Sequence, residues 1–143
     1  MIVQSQKILN FIGFFNGFGS SLSGIAIAPF GFVRDKENQR IVTHEKIHLI
    51  QQTECILVSL LIAGIVYVTH PNDLTLGVLI SAYFWHYILY GLMYLTNLPI
   101  YEDSFIAYCA IPFEQEAYTN EYNPKYILTR PYFAWLKPEY WKT

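Results

Sequence analysis

Two long apolar runs dominate the hydrophobic pattern. The first spans Cys55 to Thr69 (CILVSLLIAGIVYVT) and the second Leu74 to Leu95 (LTLGVLISAYFWHYILYGLMYL). His70-Pro71-Asn72-Asp73 separates them, and its Pro and Asn-Asp are turn formers. The second run has 22 residues and no formal charge. As a helix it crosses roughly 30 Å of hydrocarbon. The first run is short alone, at 15 residues. A helix that begins near Thr43 and continues through it is long enough, with only its far half immersed. The pattern therefore predicts a helical hairpin in a bilayer, with helices over 43–69 and 74–97 and the HPND turn at its tip. The alternative is a soluble protein with two very apolar core helices. A domain of this size covers one such helix but struggles to cover two.

The flanking segments read differently. Ile8 to Val33 is uncharged but rich in Gly, Ser and Asn, which is poor material for a spanning helix. Gly13 to Gly19 (GFFNGFG) reads as an interfacial or re-entrant segment, and the Lys-led apolar start imitates a signal peptide. Gly24 to Val33 looks extended, with Pro29 placing that strand at an edge. Asp35 to Asn38 reads as a turn and Arg40-Ile41-Val42 as a short returning strand. Segment 1–42 is thus an apolar start followed by a short N-terminal β-hairpin. Downstream, Phe105, Ile106, Cys109, Phe113 and Ala117 have helical spacing, which predicts a helix over 103–122. An aromatic and basic tail, 123–143, closes a single domain. Its Trp135, Tyr140 and Trp141, interleaved with Lys137 and Lys142, read as an interfacial anchor. The fold class is mainly α.

Composition and charge sharpen this picture. The chain is 53% hydrophobic and only 14% charged, against a usual charged share of about 25%. Twelve Tyr and ten Phe exclude disorder. Two Cys exclude a disulfide scaffold, and both are expected to be reduced, buried and inert. A net charge of −2 with no basic cluster argues against nucleic acid as a partner. No Lys or Arg lies between Ile47 and Pro124. All nine lie on the side of the hairpin's two ends and none lies in its tip, so an integral membrane protein with both termini cytoplasmic is expected.

The chemistry sits in Thr43-His44-Glu45-Lys46-Ile47-His48, a His-Glu-x-x-His motif. On a helix, positions i and i+4 share a face, so His44 and His48 can bind one Zn²⁺. Glu45 is turned about 100° away and suits a general base acting on water at the metal. Thr43 fits as the N-cap. A catalytic zinc needs a third protein ligand and an open position. Glu114 and Glu116 both offer a carboxylate on the predicted downstream helix. There Glu114, Tyr118 and Glu121 share a face, and Glu116 points elsewhere.

Glu114-x-Glu116-Ala117 resembles the Glu-x-Glu-Ala-Asp signature of the membrane-embedded gluzincin metallopeptidases of the CAAX-protease and HtpX heat-shock type. The resemblance implies a zincin-like helix pair with Glu114 as the third zinc ligand, and leaves Glu116 as the alternative ligand. The sequence departs at Tyr118, where those proteins carry an Asp that buttresses a zinc histidine; here another group must orient His44 or His48. Most of the chain also resembles short bacterial and phage membrane-associated HExxH proteins, through Pro29-Phe30 to Arg34, THEKIHLIQQTE, AIPFEQEAYTNE and Tyr126…Arg130…Trp135. His48-x-x-Gln51-Gln52 is similar to a minimal gluzincin-type domain with HExxH-x-x-Gln-Gln.

The expectation is a membrane-associated zinc metallopeptidase whose partners are the bilayer and a peptide or protein substrate. Gln51 and Gln52 either bond substrate backbone or orient Glu45, or are simply polar residues at the membrane interface. Tyr118 or Tyr122 are the candidates for oxyanion stabilisation. Glu54 reads as the water boundary. The Tyr83, Tyr87, Tyr90 and Tyr94 stripe reads as packing and an interfacial belt. His86 reads as a neutral, hydrogen-bonded structural histidine within a membrane helix. A different class of reading is a non-catalytic membrane or virion component, contacting other membrane or virion subunits, whose metal site is structural or vestigial. A fourth ligand such as His70 or His86 would favour it. A holin-like hairpin with an accidental motif is a third.

Overall fold

The computed structural model describes residues 1–15, 22–70 and 76–141. Residues 16–19 of the proposed re-entrant segment, 71–73 of the hairpin tip and Lys142 lie outside them. The chain is mainly helical with one small sheet. Strand β1 (Ile2–Gln4) leads into helix α1 (Gln6–Phe15), whose Leu9 is fully buried. Strands β2 (Gly24–Ile27) and β3 (Phe30–Val33) form the β-hairpin, turning at Ala28-Pro29. They pair antiparallel with Ala26 opposite Gly31, while β1 pairs parallel with β3. The order β1-β3-β2 makes β2 an edge strand.

Helix α2 (Gln39–Thr69) is 31 residues long. Its N-cap is Asn38, whose side chain accepts from Ile41 N, rather than Thr43. Arg40 to Val42 is therefore the first helical turn and not a returning strand. The returning strand is β3, because Pro29 turns the chain earlier than the Asp35–Asn38 cluster does. Thr43 is buried in the helix.

The two halves of α2 have opposite character. Thr43, Glu45, His48, Gln51, Gln52 and Glu54 are polar and face the interior. Leu57, Leu61, Ile62, Ile65 and Val68 are apolar and exposed. The helix is long and apolar enough to cross a membrane. Helix α3 (Leu76–Asn97) packs along it and exposes Ile80, Phe84, Ile88, Leu92 and Leu95.

The expected helix over 103–122 is two helices, α4 (Ser104–Cys109) and α5 (Pro112–Asn120). Pro112 is the cause. It disfavours helical geometry in the preceding residue, and Ile111 is extended at φ −63°, ψ 130°. At the first helical position Pro112 suits α5. Asp103 caps α4 by accepting from Phe105 N and Ile106 N.

Cys55, Ile111, Phe113 and Trp135 form the core where α2, α5 and the tail meet. Trp135 and Tyr140 are thus core residues, held by 3₁₀ turns after the short helix α6 (Tyr126–Thr129), and Trp141 alone of the three expected anchors is exposed. Among the described residues, Cys55 and Cys109 are free thiols.

Candidate metal centre

His44 and His48 stand one turn apart on α2, and α5 crosses this turn. The two Nε2 atoms are 3.0 Å apart. Glu114, in the first turn of α5, brings Oε2 to 3.3 Å from His44 Nε2 and Oε1 to 3.1 Å from His48 Nε2. A tetrahedral set around Zn²⁺, at the usual bond lengths, has donors about 3.3 Å apart. The imidazole pair has about that spacing, and each imidazole meets a different oxygen of the Glu114 carboxylate.

Other contacts aim the donors. His48 Nδ1 lies 2.8 Å from Gln51 Oε1, and Gln51 Nε2 donates to Phe113 O and Glu116 Oε2, both at 3.0 Å. Those two groups only accept, which fixes the Gln51 oxygen toward the imidazole. His44 Nδ1 lies 3.1 Å from Glu121 Oε2. In the neutral form each ring proton is then held on Nδ1, and both bare Nε2 atoms face the same point. Arg40 completes the outer pair by donating to Glu121 Oε1 at 2.7 Å. Tyr90 donates to Glu114 Oε1 at 2.8 Å, while Glu114 Oε2 is buried without a hydrogen-bond partner.

Electrostatics agree with the geometry. Burial opposes ionisation of Glu114, yet the imidazoles of His48 and His44 hold it well below the usual carboxylate range. Burial alone would lower the His48 imidazole, but the charge of Glu114 outweighs it and raises the group to about 9. The donor set of two imidazoles and a carboxylate is one that could hold Zn²⁺. The three donor atoms lie within 4.8 Å of one another. Neither His70, exposed at the end of α2, nor His86 joins them among the described residues.

Glu45 is buried, and burial pushes its carboxyl up to about 7. Its Oε2 has no hydrogen-bond partner among the described residues. Gly24 makes room for it, since a Cβ there would collide with the Glu45 carboxylate. Two cavities meet at this point. Gly24, His44, Glu45 and Tyr108 line both.

The remaining expected residues have distinct places. Glu116 does not reach the donors. It is fully buried and paired with Arg130 at 2.5 Å rather than facing solvent or Lys46. Arg130 also holds Glu54 at 2.5 Å, so Glu54 is an internal ion-pair partner and not a water boundary. Gln51 orients His48. Gln52 instead bridges the outer edge of β2, donating to Ala26 O and accepting from Ala28 N, both at 2.8 Å. Tyr118 packs edge-on against His44, with ring centroids 4.8 Å apart. Tyr122 is exposed and lies under the Arg40 guanidinium. Tyr83 and Tyr87 donate to the β2 strand end, at Ala28 O and Ala26 O. Among the described residues His86 has no hydrogen-bond partner, contrary to expectation.

Sequence reasoning gave Glu121 no role, although it placed the residue on the face of Glu114. The missing Asp at Tyr118 was the available signal, because a carboxylate one turn later reaches the same imidazole. Compared with protein-family profiles, curated proteins and solved structures, the chain matches none.

Proposed function

We propose that this protein is a membrane-associated zinc metallopeptidase that hydrolyses peptide bonds. The observation that carries this reading is the convergence of His44, His48 and Glu114 at separations of 3.0–3.3 Å beside a buried Glu45. Zn²⁺ held by the three would polarise a peptide carbonyl and acidify the attacking water. Glu45 would take a proton from the attacking water on its carboxylate and return it to the leaving amine. Gln51 and Glu121 keep the imidazoles aimed. Tyr118, against His44, is the nearer of the two tyrosines to any developing oxyanion. Among the described residues only these three donors converge, which would leave a coordination position for water and substrate and supports a catalytic centre over a structural one.

The exposed apolar faces of α2 and α3 support a bilayer location. In this reading the far half of α2, from Cys55, and α3 form the membrane hairpin, with both termini cytoplasmic. The metal centre then lies at the cytoplasmic interface, within reach of membrane-associated or unfolded peptides.

Purified full-length protein in detergent tests the proposal. Metal analysis should find about one zinc per chain, lost in His44→Ala. Glu45→Gln should retain the zinc and abolish cleavage of a mixed peptide pool. A Glu45→Gln protein that still cleaves removes Glu45 from the mechanism, and wild-type protein without zinc removes the centre itself.

A further inference from the structure

The smaller cavity, between β2, α2 and α3, encloses about 270 Å³ and reaches the point where His44, His48 and Glu114 converge. Leu22, Ile25 and Ala26 give it an apolar wall, and the rings of Tyr87 and Tyr90 lie opposite. Several polar side chains around it are already bonded within the protein. Gln52 bridges Ala26 and Ala28, Tyr87 donates to Ala26 O, and Tyr90 donates to Glu114.

His86 is different. It lines the cavity and is 3% exposed, and neither Nδ1 nor Nε2 has a hydrogen-bond partner among the described residues. Its ring rests on Phe113, with centroids 4.5 Å apart. A phenyl ring would meet that packing need without stranding a polar atom. A neutral imidazole instead offers one donor and one acceptor. Leaving both unpaired in the interior disfavours the fold. The position makes physical sense where something entering the cavity completes it.

We propose that this cavity takes a large apolar residue of the substrate beside the bond to be cut, and that His86 hydrogen-bonds a polar group of that residue. The inference rests on the metal reading of the centre and adds the substrate class to it. Apolar walls select the body of the side chain. His86 reads a hydroxyl at the side-chain tip. The larger cavity, about 500 Å³ on the far side of Gly24 and Glu45, leaves room for the rest of the peptide beside Arg40, Phe105 and Tyr118.

The test uses full-length protein loaded with Co²⁺, whose visible spectrum reports ligands arriving at the metal. Acetohydroxamate carries the metal-binding group and no side chain; alanine, phenylalanine and tyrosine hydroxamates add side chains of increasing size. Phenylalanine and tyrosine hydroxamates should bind at least about tenfold more tightly than the alanine compound. His86→Phe should weaken the tyrosine compound about tenfold and leave acetohydroxamate unchanged. It should spare the phenylalanine compound, which carries no hydroxyl. Ile25→Trp, which fills the cavity from β2, should erase the preference for aromatic compounds while acetohydroxamate still binds. Equal affinities across the series in wild-type protein, with acetohydroxamate bound, overturn the pocket and leave the metal centre standing. The pocket is overturned in the same way if neither variant alters binding of the aromatic compounds. Failure of Co²⁺ and acetohydroxamate to bind wild-type protein overturns the metal centre and the pocket with it.

Discussion

Glu121 lies just beyond the end of α5, where its carboxylate bridges Arg40 and the Nδ1 side of His44. A carboxylate in that place holds the ring orientation and makes the imidazole a better donor. Glu121→Ala should therefore weaken zinc affinity by roughly 10–100-fold, measured by competition with a chromophoric chelator. An unchanged affinity would show that packing, with Tyr118 edge-on, is enough to fix His44. Gln51 does the corresponding work at His48, but through an amide that is itself anchored on Glu116. Glu116 is in turn held by Arg130, which also reaches Glu54. The second Glu of the Glu-x-Glu pair is thus a support for the centre and not a ligand.

Strand β2 and helix α2 meet at the centre, and their closeness depends on one residue. Gly24 passes the Glu45 carboxylate where any side chain would collide with it. Gly24→Ala should therefore displace Glu45, not the donors on α2 and α5. The expected result is loss of peptide cleavage with zinc content unchanged, read by metal analysis and a peptide assay on the same preparation. Retained cleavage would mean that the strand yields instead of the carboxylate. Pro112 acts similarly at the level of the element. By ending α4 and starting α5 it sets the helix whose first turn carries Glu114.

Over the whole molecule, polarity is arranged against the usual pattern. The near half of α2 buries its polar residues around the centre, and the far half exposes Leu57, Leu61, Ile62 and Ile65. A contiguous exposed apolar surface of this kind marks contact with lipid or another protein. Placing Arg at Ile62 and Ile65 should lower the fraction retained in membranes after alkaline carbonate washing. Each charge near a helix centre costs on the order of 2.5–3.5 kcal/mol on insertion scales. Equal retention would place that face against protein and not lipid.

Local chemistry along the chain was enough to bring His44 and His48 together, because helical spacing alone puts i and i+4 on one face. The two apolar runs were legible for the same reason: hydropathy is a property of each segment by itself. Helix starts were less so, since Asn38 and Thr43 are both good caps and the choice between them rests on a hydrogen bond. Helical spacing set Glu116 off the face shared by Glu114 and Glu121, but only the tertiary structure decided which group each carboxylate meets. They lie on one short stretch and differ little as residues. Which carboxylate faces an imidazole, a guanidinium or an Nδ1 atom depends on how α5 and the Arg130 segment dock on α2, and no spacing within the stretch encodes that docking.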